Sequence, residues 1–270
     1  MPSKRRQIND RFGVRECGAG ANGRCARMNM DERIFEDLDA LSRAALPELQ
    51  RIAREAVRQR GRFAIALAGG RTPAKLYSMW AQTDAQAAGA PWDRVHLFWG
   101  DERYVDHDDL LSNYRMTQEA LLSRVAIPAE NVHPMPTDCA APDDCAAAYE
   151  ADLRKFFGIE PPAFDLQLLG LGPEGHTASL FPGSAALEEQ IRWVAAVQAA
   201  ATPHERLTLT PVVLNQGRNT WFLVGGADKR QIVRALRDQD ENDRDASPYP
   251  AARLRPAGAT VWFLDRAAAS

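Results

Sequence analysis

The chain has 270 residues, 45% of them hydrophobic and 26% charged, with a formal net charge of -3. That length accommodates one large α/β domain or two small ones, and the composition is that of an ordinary globular protein. The near-neutral balance calls for no polyanionic partner and no apolar run is long enough to span a bilayer, so neither nucleic acid nor membrane is an expected partner.

The charge is unevenly spread. Residues 1–27 carry seven basic and two acidic residues, +5 in all, which leaves -8 for the remainder. The stretch has Gly, Asn and Ser but no periodic apolar residues. Residues 1–30 therefore read as a basic, disordered N-terminal extension, and 31–270 as a single α/β domain. The cysteines, Cys17, Cys25, Cys139 and Cys145, form no CxxC pair, so neither a zinc site nor a redox motif is expected. Four cysteines in a chain this long do not suggest a disulfide scaffold, and a reducing, cytoplasmic setting is expected.

In chain order, residues 31–60 read as one long helix with Ile34, Leu38, Leu41, Ala45 and Leu49 at helical spacing, kinked or broken at Pro47. Short apolar runs then alternate with helical stretches. FAIALAG (63–69), VHLFWG (95–100), FDLQLLG (164–170), WVAAV (193–197), TWFLVGG (220–226) and TVWFLD (260–265) read as strands. Several are apolar on both faces, as in a parallel sheet covered by helices. PAKLYSMWAQ, the segment around SNYRMTQEALL, AAAYEADLRKFF and DKRQIVRALRD supply the covering helices. The alternation predicts a Rossmann-like, doubly wound α/β fold with a mostly parallel sheet. Residues 238–250 read as a polar surface loop, and 134–144 as a Pro- and Asp-rich connection.

Ligands of such sheets bind beyond the carboxyl ends of the strands. Four strand ends qualify: AGGRTP, GDERY, GPEGHT and GADK. Gly170-Leu171-Gly172-Pro173-Glu174-Gly175 has GxGxxG spacing. A dinucleotide site would also need an acidic residue about 20 positions on, at the end of the next strand. That strand ends AAVQAA, with Glu188 and Glu189 before it. No nucleotide cofactor is expected, and the glycines instead form a tight turn that presents His176 at the start of the next helix. Gly69-Gly70-Arg71-Thr72-Pro73 offers a phosphate cradle without a Walker lysine. Asp101-Glu102-Arg103 places two carboxylates and a guanidinium at a third strand end. Arg206, Thr208 and Thr210 in ERLTLT, with Lys229 at a helix start, add candidate phosphate ligands. Ser179 does not sit in GxSxG, so a serine-hydrolase elbow is not indicated. His96, His107, His133 and His204 share no ligand spacing, so no metal is expected.

The ordered set LAGGRTP, WGDERYV, SNYRM, GLGPEGHTASLFPGS, RLTLT and WFLDRAAA resembles the lactonase branch of the glucosamine-6-phosphate isomerase/6-phosphogluconolactonase family over about residues 31–270. The resemblance implies a metal-independent hydrolase without cofactor. Its reaction would convert 6-phospho-D-glucono-1,5-lactone to 6-phospho-D-gluconate in the oxidative pentose phosphate pathway. It also implies His176 as general base, oriented by Asp101 or Glu174, with Arg103 stabilising charge or holding the sugar. Gly69, Gly70, Arg71, Thr72, Arg206 and Lys229 would hold the phosphate, and Asn113 would contact a sugar hydroxyl or brace its loop. The partner would be a small sugar-phosphate lactone, and a monomer is the working expectation. One departure stands out: the family usually has Asp where this chain has Glu174, preceded here by Pro173.

Two rival functions differ in sequence. A glucosamine-6-phosphate deaminase continues after Gly-His with Asn-Glu, where this chain has SLFPGS. A non-catalytic sugar-phosphate sensor would carry a DNA-binding module, for which the N-terminal extension is too short.

Overall fold

Each segment's structure follows from where it can hide its apolar side. In the computed structural model, which describes Met28 and residues 30–84, 91–198 and 204–270, the chain opens with β1 (Glu32–Phe35), α1 (Leu38–Arg60), β2 (Phe63–Leu67) and α2 (Arg71–Asp84). There follow β3 (Val95–Trp99), β4 (Asp101–Arg103), α3 (Asn113–Ala120), β5 (Val132–His133), α4 (Pro142–Phe157) and β6 (Leu166–Leu169). The last third holds β7 (Val194–Gln198), β8 (Glu205–Leu209), α5 (Pro211–Leu214), β9 (Asn219–Val224) and α6 (Arg230–Arg237), then α7 (Pro250–Arg253), β10 (Ala259–Asp265) and α8 (Arg266–Ala269).

Seven strands form one parallel sheet in the order β1-β10-β9-β6-β2-β3-β5. Its centre is apolar: every residue of β2 and β6 is buried, as is most of β9 and β10. Each buried Leu or Phe contributes about 1.5–3 kcal/mol, which is why these runs become strands sandwiched by helices. From β2 the chain winds outward through β3 and β5, then from β6 the other way through β9 and β10, outside which the first strand, β1, forms the edge. The order reverses between β2 and β6, so a crevice opens beyond their carboxyl ends.

Two buried tyrosines pin the strand ends at this level. Tyr77 Oη accepts from Ala68 N–H and donates to Ala68 O, both at 3.0 Å. Tyr149 Oη accepts from Trp99 N–H at 2.9 Å and donates to Trp99 O at 3.2 Å. The loops after β2 and β3 therefore leave the sheet from fixed points.

Four expectations need correction. Residues 32–35 are an edge strand on β10, not helix: Phe35 stacks 6.0 Å from Phe263, and the helix starts only after Asp37, whose carboxylate accepts from Ala40 N–H at 2.7 Å. Helix α1 then runs unbroken through Pro47, which is exposed, so the carbonyl four residues back that lacks its N–H partner is on the solvent side. The WVAAV run does not join the parallel sheet. As β7 it belongs to a separate antiparallel sheet, β4-β8-β7. Finally, Cys139 and Cys145 form a disulfide: Cys145 lies in the first turns of α4 and Cys139 in the preceding loop, with Cα atoms 5.5 Å apart.

Of the segment assigned to the extension, Met28 is buried and its N–H donates to Gln239 O at 2.9 Å, so the folded body reaches at least that far. Cys17, Cys25 and the rest of the basic stretch lie outside the described residues. Among the described residues, no helix is long and apolar enough to cross a membrane.

Candidate active site

A cleft of about 290 Å³ lies at the point where the strand order reverses. Its walls come from the loop after β2, the loop after β6, strands β4 and β8, and the start of α6. Gly69, Gly70, Arg71, Thr72, Asp101, Arg103, Asn113, His176, Arg206 and Lys229 all line it. Residues up to 160 positions apart in sequence thus converge at one place. Glu174 does not line the cleft but sits beside His176.

The glycines are there to make room. A Cβ on Gly172 would fall 2.0 Å from His176 Nδ1, and one on Gly69 would fall 1.9 Å from Asn113 Oδ1. The imidazole packs directly on the Gly172 backbone and the Asn113 amide on Gly69, where any side chain would displace them. GxGxxG spacing here serves a histidine, not a pyrophosphate.

His176 is not at a helix start, contrary to the sequence expectation. Residues 171–184 are a run of turns, held by Gly172 N–H to His176 O at 2.8 Å, Gly175 N–H to Gly172 O at 3.0 Å and Thr177 Oγ1 to Gly170 O at 2.8 Å. No helix dipole therefore acts on it. The imidazole leans on Phe181, with ring centroids 4.7 Å apart. Its Nδ1 lies 2.9 Å from Glu174 Oε1, though off the line of a hydrogen bond. Burial alone would raise the Glu174 carboxyl. Its own backbone N–H, His176 and Lys229 outweigh that and hold it below the ordinary glutamate value.

Asp101, the other candidate for orienting His176, does not reach it. Its carboxylate accepts from Ser179 Oγ at 2.7 Å and lies 3.4 Å from Asn113 Nδ2, which also donates to Asp101 O at 2.8 Å. Asp101 braces the cleft wall and supplies negative charge near Arg206.

The arginines form a pair. Arg103 of β4 and Arg206 of β8 are direct cross-strand partners. Like charges opposite one another destabilise a sheet. Both Nε atoms are buried without a hydrogen-bond partner, although Arg103 Nη1 donates to Leu111 O. Desolvation lowers the Arg206 pKa first of all, and Arg103 pushes the same way against the pull of Asp101. Two arginines that line one cleft from adjoining strands are suited to an anion. Lys229, 3.1 Å from Asp228, and the exposed Arg71 add positive charge at the rim.

Glu102, grouped with Asp101 and Arg103 in the sequence but given no separate role there, caps a helix. It is 1% exposed, and its two carboxylate oxygens accept from the backbone N–H groups of Arg103 (2.8 Å), Asn113 (2.7 Å) and Tyr114 (2.7 Å) and from Ser112 Oγ (3.2 Å). Burial raises its pKa, partly offset by those N–H donors. It serves as the anionic cap of α3, whose own first turn has no acidic residue.

One group of potential metal ligands occurs among the described residues, Asp138 with Cys139 and Cys145. None of the three lines the cleft, and the two sulfurs are bonded to each other.

Comparison with known proteins fits this geometry. Residues 36–262 match the family model described as glucosamine-6-phosphate isomerases/6-phosphogluconolactonase. The chain belongs to this family. A relative from Synechocystis sp., named 6-phosphogluconolactonase, is 44% identical over 217 residues, covering 79% of this chain and 86% of the relative. Another of that name from Mycobacterium tuberculosis is 40% identical over 250 residues, covering 90% and 98%. The crystal structure of 6-phosphogluconolactonase from Thermotoga maritima superposes with a TM-score of 0.72 at 30% identity, covering 88% of this chain and 100% of that one. Family membership accounts for the parallel sheet and the place of the cleft.

Proposed function

We propose that this family member hydrolyses 6-phospho-D-glucono-1,5-lactone to 6-phospho-D-gluconate, as the names of its relatives suggest. One observation carries the reading: a single cleft holds an imidazole beside a carboxylate and, in the same cleft, two arginines that are cross-strand partners. A phosphorylated ester needs both a base and an anion anchor.

In this reading the phosphate binds to Arg206 and Lys229, with the Gly69–Thr72 loop and Arg71 around it, while Arg103 covers the sugar or the developing charge. Asn113 holds the loop rather than the sugar, since its Nδ2 donates to Asp101 and its Oδ1 is buried against Gly69. With Nδ1 facing Glu174, Nε2 of His176 takes a proton from water as the oxygen attacks the lactone carbonyl. The carbonyl electrons move onto oxygen, giving a tetrahedral anion. Its collapse breaks the bond to the ring oxygen, which recovers the proton from the imidazolium. The Glu174 carboxylate stabilises that imidazolium while it exists. Water and lactone are consumed, and one hydroxy acid forms. No step requires a metal or a covalent intermediate, and a cytoplasmic monomer is the setting this reading assumes.

Purified protein mixed with freshly generated 6-phosphoglucono-δ-lactone tests it, scored against spontaneous hydrolysis with and without EDTA. The expected result is catalysed opening unaffected by the chelator. A rate equal to the spontaneous one, or activity lost in EDTA and restored by a divalent metal, would contradict it.

A further inference from the structure

We propose that Ser179 is a positioning residue that fixes His176 relative to the Arg103–Arg206 pair. The assignment rests on the lactonase reading above and adds a residue to it.

Ser179 follows His176 by three positions, in a turn closed by Leu180 N–H to Thr177 O at 3.0 Å. The turn needs Ala178 at φ 47°, the left-handed region that costs a residue with a Cβ about 1–2 kcal/mol. Such a conformation persists when its surroundings over-determine it. Ser179 supplies the restraint. It is fully buried; its N–H donates to Thr208 Oγ1 at 3.1 Å and its Oγ to Asp101 Oδ2 at 2.7 Å.

Asp101 and Thr208 are themselves cross-strand partners on β4 and β8. Two residues along each strand, hence on the same face, stand Arg103 and Arg206, also partners. One serine therefore grips both strands of the small sheet about 7 Å along the strand from the arginine pair. Lengthen this link and the base shifts relative to the anchored phosphate while each half of the site stays intact.

The hydroxyl is not a nucleophile. It is buried, does not line the cleft and is committed as a donor to Asp101. Its influence runs through the geometry of others. A misplacement of about 1 Å can lower a rate about 100-fold with binding preserved.

Ser179→Ala removes the hydroxyl but keeps the N–H bond to Thr208, and Ser179→Cys restores a weak donor of similar size. For wild type and both variants we would measure kcat and KM on the lactone, the Kd for 6-phosphogluconate, and the thermal midpoint. Ser179→Ala should lose about 10- to 100-fold in kcat, with KM and product Kd within about twofold of wild type, and Ser179→Cys should recover part of the loss. A purely structural serine would lower the midpoint and leave kcat per folded molecule unchanged, which overturns the proposal. A matched rise in KM and Kd overturns it too, since the hydroxyl would then serve binding. If wild type itself does not open the lactone, the functional reading fails and takes this assignment with it. A normal wild type beside a fully active Ser179→Ala overturns the assignment alone.

Discussion

The two sheets place opposite kinds of residue in the interior. In the parallel sheet, β2 and β6 are buried throughout and apolar except for Gln167. The three-stranded sheet sets Asp101, Glu102, Arg103, Arg206 and Thr208 on adjoining short strands, three of these five buried. The first arrangement lowers free energy by removing apolar area from water. The second raises it, through a desolvated arginine and a like-charged cross-strand pair. A chain tolerates the second because the first provides a surplus of stability. Charge crowded against its own kind, in a cleft at the strand-order reversal, marks where binding repays the cost.

Perturbing each sheet separately should dissociate stability from activity. The largest stability change is expected in the parallel sheet. Trp221 is 1% exposed and its ring lies 4.8 Å from that of Phe263. Trp221→Ala should lower unfolding free energy by about 3–5 kcal/mol while kcat per folded molecule holds, as read by denaturant titration beside initial rates. A collapse of kcat at full folding would erase the distinction between the sheets.

A change in the small sheet should behave the other way. Arg206→Ala should raise KM for the phosphorylated lactone about 10- to 100-fold, from loss of a charge-assisted contact made in ground and transition states alike. Stability should hold or rise by up to about 1 kcal/mol, because Arg103 loses a like-charged neighbour. Saturation curves for phosphorylated and unphosphorylated gluconolactone decide the matter. An equal loss for both lactones would mean that Arg206 does not read phosphate.

The smallest effect concerns the rim of the parallel sheet. His96 Nδ1 lies 3.4 Å from His133 Nε2, whose ring in turn meets Asp152 at 2.9 Å. Burial first, then His133 and Arg62, lower the His96 pKa from 6.5 to about 4. Between those values the unfolded chain binds a proton that the folded chain refuses, so stability rises with pH. The contribution is fully present above pH 6.5 and is lost as pH falls toward 4. His96→Gln should flatten that part of the melting-temperature profile and leave the pH–rate profile alone. An unchanged slope would show that His96 is free to ionise in the folded protein.

Much of this molecule was legible because its signals are local. The apolar runs that became β2, β3, β6, β9 and β10 are continuous, and glycine turns after β2 and β6 mark strand ends without reference to the rest of the chain. Hence His176 and the Gly69–Thr72 loop could be picked out, and the structure brings them to one cleft. What escaped depends on long-range pairing. Strand β4 has three residues, and its partnership with β8 joins positions about a hundred apart. No periodicity announces it, so the Arg103–Arg206 pairing stayed hidden although both residues had been singled out. Strand β1 was absorbed into the helix that follows, since helical spacing of Ile34 with Leu38 and Leu41 fits either structure until β10 is present to pair with it. Ser179 is legible in the sequence only as a serine outside a nucleophile motif, because its bonds to Asp101 and Thr208 depend on the β4–β8 pairing. The turn that presents His176 was expected to lead into a helix, as glycine turns after strands often do. The closures at Gly172, Gly175 and Thr177 are made instead by loop residues.

The account stands or falls on His176 acting as a base. The most direct measurement is the pH–rate profile of His176→Asn beside wild type, on freshly generated 6-phosphoglucono-δ-lactone, with 6-phosphogluconate binding measured in parallel. Asparagine fills the space over Gly172 but cannot take a proton from water at neutral pH. The account predicts intact product binding, little change in KM, a fall in kcat of about 10²–10⁴-fold, and loss of the acidic limb set by imidazole protonation. A variant that keeps wild-type kcat and an intact acidic limb would contradict it, whatever its melting temperature.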